Sequence, residues 1–265
     1  LPIWFKDLKT GKFLEDKIEN VRPNLVWAAD NETVFYSSQH PETLRADKIY
    51  RYSLKTHKSE LVYFEKDETF SVQVYKSLSR KFIYITSFST LTTEVQYLPA
   101  DKPHDHFKVF QKREREHEYS VTDSGDQFYI VTNKHAKNFK LVSTPLNATE
   151  ESHWKEVIPH RSDVYLQDVT VFKDYLAMEE RSNGLMQIHI TDRQGKNSYL
   201  IPFADKSFVA GLGDNREFET DTLRFEYESM RLPPSVFDIN LKTHKQELKK
   251  THVRSEEHTS ELQSH

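Results

Sequence analysis

Two histidine motifs in the sequence carry residue types that could bind a metal ion. His104 and His106 are two residues apart and could present two imidazoles, but they lie in a polar, proline-containing segment. We therefore interpret them as solvated loop residues. His117 and Glu118 open like the zinc-protease motif H-E-x-x-H, but the position of the second histidine is occupied by Val121. Neither motif leads us to assign a metal ligand.

A charged cluster and a pair of glycines are the next candidates. Glu179, Glu180 and Arg181 follow a predicted strand. We interpret them as a surface or inter-blade ion pair, with a functional charge cluster facing a central pore as the alternative. Gly211 and Gly213 are separated by one residue, but the third glycine and the following helix of a dinucleotide-binding motif are absent. We interpret these glycines as turn residues and predict no cofactor.

The sequence also contains no motif for nucleophilic catalysis. The chain has no G-x-S-x-G, the motif that exposes a serine on a sharp turn between strand and helix. It has no cysteine, which excludes disulfides and thiolate chemistry. Asn147 and Thr149 match a glycosylation sequon, a pattern that is common by chance. We therefore assign no catalytic, cofactor-binding or metal-binding residue.

The composition is that of a globular protein without a nucleic-acid or membrane partner. Apolar residues make up 36% of the chain and charged residues 29%, and the formal net charge is -4. No window approaches 18 consecutive apolar residues. Only 6 of the 265 residues are glycine, about a third of the usual share. Phosphate loops and nucleophile elbows need glycine, so the sequence has little material for either.

The last twelve residues, 254–265, read RSEEHTSELQSH. This string is similar to the translation of a common sequencing-adapter oligonucleotide, so we exclude it from the fold. We expect the natural sequence to be cut at Val253, and the absence of an initiating methionine indicates truncation at the front as well. The predicted organisation is one domain over residues 1–253 followed by a disordered tail over 254–265.

An internal repeat organises the rest of the chain. Residues 53–61 (SLKTHKSEL) and 240–248 (NLKTHKQEL) match at seven of nine positions, and residues 7–12 (DLKTGK) are a third copy. Each copy lies between two short apolar runs, which predicts a strand, a polar turn and a second strand. With degenerate copies between them, the spacing is about 45 to 50 residues, the length of a four-stranded propeller blade.

The predicted fold is all-β, a β-propeller of four-stranded antiparallel blades. Two outer strands come first, followed by five full blades over residues 24–66, 70–111, 117–160, 163–204 and 207–250. The second strand of each blade is the most apolar run. It should be the most buried, with Phe35, Ile83, Tyr129, Leu176 and Phe225 inaccessible. We interpret the charged run 111–118 (QKREREHE) as a solvated loop between blades.

Six segments in the same order and spacing resemble the oligopeptidase B group of the prolyl oligopeptidase family of serine peptidases. They cover residues 30–54, 65–70, 117–121, 128–141, 179–185 and 223–239. The resemblance implies an N-terminal propeller of seven blades, of which about five and a half are present. In the family, an α/β-hydrolase domain that carries the Ser, Asp and His triad follows the propeller. None of that domain is present here, so no position in this chain inherits a catalytic role.

The resemblance also implies a function for the parent protein. It would be a cytoplasmic serine endopeptidase that cleaves short basic peptides after Arg or Lys and takes no cofactor. The propeller would exclude folded proteins and form one wall of the cavity, with the catalytic domain as its partner in cis. The alternative is a stand-alone propeller that acts as an interaction scaffold. A G-x-S-x-G motif encoded downstream would favour the first hypothesis, and a stop codon directly after the last blade would favour the second.

Overall fold

The computed structural model describes residues 2–252. This range holds 22 strands and one short 3-10 helix, Glu151–His153. None of its helices is long and apolar enough to cross a membrane. The predicted tail, residues 254–265, lies outside the described residues, and its assignment stays a prediction. The chain forms two compact units, Leu1–His160 and Arg161–His265.

Unit 1 contains four antiparallel sheets, each a meander of strands that follow one another in sequence. Sheet 1 has two strands, β1 Ile3–Lys6 and β2 Phe13–Ile18. Sheet 2 contains β3 Val21–Trp27, β4 Thr33–Gln39, β5 Ala46–Ser53 and β6 Lys58–Phe64. Sheet 3 contains β7 Ser71–Lys76, β8 Phe82–Phe88, β9 Thr93–Pro99 and β10 Lys108–Gln111. Sheet 4 contains β11 Tyr119–Asp123, β12 Gln127–Thr132, β13 Lys140–Pro145 and β14 Lys155–Ile158.

Unit 2 contains two further sheets with the same strand order. Sheet 5 contains β15 Val164–Val171, β16 Tyr175–Ser182, β17 Leu185–Asp192 and β18 Tyr199–Leu200. Sheet 6 contains β19 Phe208–Leu212, β20 Thr222–Ser229, β21 Ser235–Asn240 and β22 Gln246–Thr251. The described residues therefore form a two-stranded sheet and five four-stranded blades, as the repeat predicts.

The second strand of sheet 3, β8, is apolar along most of its length because both of its faces are buried, whereas β20 in sheet 6 alternates between buried and exposed residues. In β8, Ile83 and Ile85 belong to the core between sheets 2 and 3. The alternate residues, Phe82 and Tyr84, belong to the core between sheets 3 and 4, where the ring centroids of Phe82 and Phe128 are 5.1 Å apart. A strand with two buried faces shows no polar alternation in its sequence, and this explains its strong signal.

The predicted core positions are confirmed. All five side chains lie in second strands and are at most 1% exposed; they are Phe35, Ile83, Tyr129, Leu176 and Phe225. Each removes an aromatic or branched aliphatic side chain from water, which stabilises the fold by about 1.5 to 3 kcal/mol per residue.

The three strong copies of the repeat form the same hairpin turn. In each, the fifth residue donates its N–H to the carbonyl of the first over 2.7–2.8 Å and has a positive φ. That residue is Gly11 in the first copy, at φ 69°, but histidine in the other two, His57 at φ 56° and His244 at φ 59°. Because a side chain is disfavoured at positive φ, the two histidines need another role.

Both histidine rings tie their turn to the outer strand of the preceding sheet. The Nδ1 of His57 lies 2.6 Å from Oδ1 of Asp16 in β2, and the hydroxyl of Tyr52 donates to the same carboxylate oxygen. The ring of His244 stacks on Tyr199 in β18, with centroids 3.9 Å apart. The repeated turn is therefore an inter-sheet contact as well as a hairpin.

Lowering the pH should loosen the attachment of sheet 1 to sheet 2. Hydrogen bonds from His57 and Tyr52 hold the pKa of Asp16 below its ordinary value. Such a carboxylate stabilises the fold above its unfolded pKa of about 3.9, and this contribution is lost as pH falls through the folded pKa. The difference in unfolding free energy between the parent chain and Asp16→Asn should therefore be constant above about pH 5 and shrink toward pH 3.

Tryptophan fluorescence during urea unfolding measures this difference, because all three tryptophans lie in unit 1. The ring of Trp27 is 5.8 Å from Phe5 of sheet 1 and so reports on this contact. If the difference in unfolding free energy between the parent chain and Asp16→Asn grew as the pH fell, the stabilising role of the Asp16 carboxylate would be contradicted.

Candidate functional site

The candidate site is the free edge of the first strand in each sheet, which we call the inner edge, because this strand has no backbone partner on one side. Asn24 in β3 closes this edge on sheet 3. Its Oδ1 accepts from the N–H of Val74 and its Nδ2 donates to the carbonyl of Val74, both over 2.8 Å. The side-chain amide thus takes the place of a neighbouring strand.

Similar contacts close the first strands of sheets 4 and 6. The hydroxyl of Thr93 accepts from the N–H of Tyr119 over 2.7 Å and donates to its carbonyl over 2.8 Å. In unit 2, the N–H of Leu212 donates to Oε1 of Glu179 over 2.9 Å. Because these backbone groups are occupied, a peptide lying along the inner edge would contact side chains at these positions rather than extend the sheet.

Truncating the amide of Asn24 should destabilise unit 1. Asn24→Ala leaves the N–H and carbonyl of Val74, which is buried, without these partners, and this costs about 1 to 3 kcal/mol. Asn147→Ala is the matched control, since Asn147 is exposed in a turn of the same unit. It should change stability by less than about 0.5 kcal/mol. Urea midpoints followed by tryptophan fluorescence test both, and equal midpoints would refute the role of Asn24.

Two carboxylates face each other at the inner edge of sheet 5. Asp168 in β15 is paired in register with Glu179 in β16 at a β-bulge. Asp168 is exposed to solvent, but neighbouring protein atoms partly desolvate its carboxylate and, together with the charge of Glu179, raise its pKa. A Cβ on Gly211 would lie 3.1 Å from Oε1 of Glu179, so glycine permits this close approach.

The predicted cluster of Glu179, Glu180 and Arg181 does not act as one group. Glu179 contacts sheet 6, Arg181 is exposed, and Glu180 is buried with 2% of its surface accessible. Arg161 donates to both oxygens of Glu180, and Nδ1 of His189 lies 3.1 Å from Oε1. Desolvation alone would raise the pKa of Glu180, but these hydrogen bonds outweigh it and the pKa is lowered. Glu180 does form an ion pair, but it is a buried one with Arg161, which precedes β15, and not the surface pair that was predicted.

The predicted solvated loop, residues 111–118, is only partly solvated. Gln111 ends β10, and Arg113 bridges the carboxylates of Glu65 at 2.6 Å and Glu94 at 3.2 Å. His117 is 6% exposed, and its Nε2 lies 2.9 Å from the hydroxyl of Thr132. Burial lowers the pKa of His117. The prediction was wrong for these two side chains because charge alone does not reveal partners on other strands.

Glu65 is the centre of this network. Its carboxylate is 5% exposed and accepts from Arg113, from the hydroxyl of Tyr63 at 2.9 Å and from the N–H of Asp67 at 3.0 Å. Desolvation acts to raise the pKa of Glu65, but these donors outweigh it and the pKa is lowered. The guanidinium of Arg113 also lies 4.2 Å from the ring centroid of Phe70. Arg113 thereby joins β6, β9 and the connections between sheets.

The remaining predicted motifs lie apart from this network. His104 and His106 are exposed in the connection between β9 and β10, and residues 2–252 contain no group of three or more potential metal ligands. Gly211 is a strand residue paired with Glu226, so its interpretation as a turn was wrong. Gly213 follows that strand, where a Cβ would lie 2.9 Å from Cγ of Arg224. Close packing explains both glycines.

Four-stranded antiparallel meanders that repeat along the chain and bind one another through side chains define a β-propeller domain. Residues 2–252 match the family described as "Prolyl oligopeptidase, N-terminal beta-propeller domain". The chain therefore belongs to this family, and the predicted resemblance and fold class are confirmed.

Comparison with individual proteins supports the assignment. The chain is 38% identical over 91% of its length to "Dipeptidyl aminopeptidase BI" of Pseudoxanthomonas mexicana, and it spans 34% of that protein. It is 30% identical over 91% of its length to "Protease 2" of Moraxella lacunata, and it spans 35% of that one. The structure of oligopeptidase B from Leishmania major superposes with a TM-score of 0.87 at 26% identity, over 95% of this chain and 37% of that chain. This chain thus spans about a third of its relatives.

Proposed function

We propose that this chain is the substrate-gating propeller of a serine-type oligopeptidase that cleaves short peptides after Arg or Lys. The observation that carries the proposal is the family match along residues 2–252 in a chain that spans about a third of its peptidase relatives. The nucleophile, its base and the residues that select basic side chains belong to the part of the protein outside this chain. On the family resemblance, we also propose a cytoplasmic location, which cell fractionation tests.

The inner edge suits a wall that admits peptides without retaining them. Side chains of other strands accept hydrogen bonds from the backbone N–H groups of Val74, Tyr119 and Leu212 at this edge. A substrate cannot dock at these positions by strand addition, the mode in which backbone hydrogen bonds give affinity. The propeller would therefore select by size, and recognition of the basic residue would remain with the catalytic domain.

The test is a substrate panel on the full-length enzyme. We expect efficient hydrolysis of blocked fluorogenic amides ending in Arg or Lys, little hydrolysis of the Pro amide, and loss of activity with a serine-directed inhibitor. A series of Arg-containing substrates from a few residues to a folded protein should show turnover falling steeply with size. Full hydrolysis of a folded protein would count against gating.

Different results would assign the parent protein elsewhere. A preference for Pro at the cleavage site would reject the basic specificity, and strict release of dipeptides from free amino termini would indicate an exopeptidase. A full-length gene product that ends directly after the propeller would support the interaction scaffold instead.

A further inference from the structure

We propose that Asn183 is a site of spontaneous deamidation, in which the backbone nitrogen of Gly184 displaces the side-chain amide and leaves aspartate or isoaspartate. The two residues connect β16 to β17, where Ser182 is paired in register with Leu185. Both have a positive φ, 52° for Asn183 and 79° for Gly184. A two-residue connection with two positive φ values is a type I′ turn, for which Asn-Gly is a preferred sequence.

Both reacting groups are accessible. Asn183 and Gly184 are exposed, and a Cβ added to Gly184 would meet no heavy atom within 4 Å. Within residues 2–252, nothing accepts a hydrogen bond from the N–H of Gly184 or bonds to the side chain of Asn183. Because glycine has no Cβ, it offers the least hindrance to the approach of the Asn183 side chain to the backbone nitrogen.

The reaction balances with water as its only co-reactant. The nitrogen of Gly184 bonds to Cγ of Asn183, the bond from Cγ to Nδ2 breaks, and the departing ammonia carries away the proton of the Gly184 N–H. Water then opens the five-membered imide at either carbonyl. One opening gives aspartate with the normal backbone. The other gives isoaspartate, in which the main chain runs through the side chain and is longer by one carbon atom.

Three other asparagines share the backbone conformation of Asn183 and serve as internal controls. Asn20, Asn31 and Asn197 are exposed, with φ values of 56°, 58° and 49°. They precede valine, glutamate and serine, whose side chains hinder the approach to the backbone nitrogen. Asn197 is also held by a hydrogen bond from Nδ2 to Asp192 at 2.9 Å. The residue that follows therefore distinguishes Asn183, and its own conformation does not.

Isoaspartate at position 183 should loosen sheet 5. A two-residue turn cannot accommodate a longer main chain, so the pair Ser182 and Leu185 should separate first. The same hairpin carries Glu179, whose Oε1 accepts the N–H of Leu212 over 2.9 Å. Either product also adds a negative charge at the end of β16. Conversion should therefore speed amide hydrogen exchange in β16 and β17.

The test incubates the 265-residue chain at neutral pH in water labelled with heavy oxygen and follows its peptides by mass spectrometry. We expect Asn183 to be converted at least about tenfold faster than Asn20, Asn31 or Asn197, with a heavy oxygen atom in each product. Circular dichroism shows that the samples are folded, and a sample in urea gives the reaction of the unfolded chain. Conversion of Asn183 only in urea, or no faster than that of the other three asparagines, would overturn the proposal.

Matched variants test the effect on sheet 5. Asn183→Gly cannot react and tolerates the positive φ, so ageing should leave its hydrogen exchange unchanged. Asn31→Gly makes the same change in the connection between β3 and β4, and this variant should age like the parent chain. If the parent chain, once converted at Asn183, exchanged its amides in β16 and β17 as slowly as fresh protein, the loosening of sheet 5 would be refuted.

Discussion

Arg113→Met should destabilise unit 1 by about 3 to 5 kcal/mol, the cost of leaving a buried carboxylate without its partner. Arg113 reaches Glu65, whose side chain is 5% exposed, at 2.6 Å and Glu94, 13% exposed, at 3.2 Å. Removing the guanidinium leaves two desolvated negative charges close together. Urea unfolding followed by tryptophan fluorescence gives the free energy, since all three tryptophans lie in this unit.

Arg115, which lies in the same loop as Arg113, is the control position. Arg115 is 92% exposed and pairs with Glu116 at 3.6 Å, so Arg115→Met should change stability by less than about 0.5 kcal/mol. Arg113→Lys should rescue little, because an ammonium group cannot match a planar fork shared between two carboxylates. The double variant R113M/E65M should be more stable than R113M alone, since it removes the uncompensated charge. Equal stability of R113M and R115M would refute this account of Arg113.

The 265-residue chain by itself should not hydrolyse an arginyl-amide substrate that the full-length enzyme cleaves. Acyl transfer to serine requires a nucleophile, a base that activates it, a group that orients the base, and donors for the oxyanion. Three histidines with buried partners have structural roles: His57 pairs with Asp16, His117 with Thr132 and His189 with Glu180. None of these three arrangements presents a nucleophile to a substrate.

Side-by-side assays at equal molar concentration measure this difference, which should exceed about 10³-fold. Adding the separately expressed catalytic part to this chain is a useful extension, and any activity gained should be abolished by a serine-directed inhibitor. Inhibitor-sensitive turnover by this chain alone would show that it contains a catalytic centre.

The blade repeat could be predicted from the sequence because it depends on local chemistry. Second strands such as β8 are buried on both faces, so their apolar residues form an unbroken run. The turn copies share a pattern because each needs a residue that tolerates positive φ. The recurrence of histidine in two copies, where glycine would be easier, was also a signal that His57 and His244 make contacts.

The contacts between sheets could not be predicted in the same way. Arg113 lies in a run of alternating charges, and its partner Glu65 is 48 positions away, directly after β6. Nothing in the local pattern distinguishes Arg113 from Arg115, which is solvated. Asn24 is likewise a single polar residue in a strand, and its role depends on Val74 lying opposite. Such residues are identified by the packing of sheets, which local periodicity does not specify.

The contacts that close the inner edges have a direction along the chain. Asn24 of sheet 2 holds sheet 3, Thr93 of sheet 3 holds sheet 4, and Glu179 of sheet 5 holds sheet 6. In each case the earlier segment supplies the side chain and the later one supplies the backbone. During synthesis on the ribosome, a newly emerged strand therefore meets a completed sheet that already presents its docking group. This order suits vectorial assembly, in which each blade serves as the template for the next and a freshly made edge is exposed only briefly.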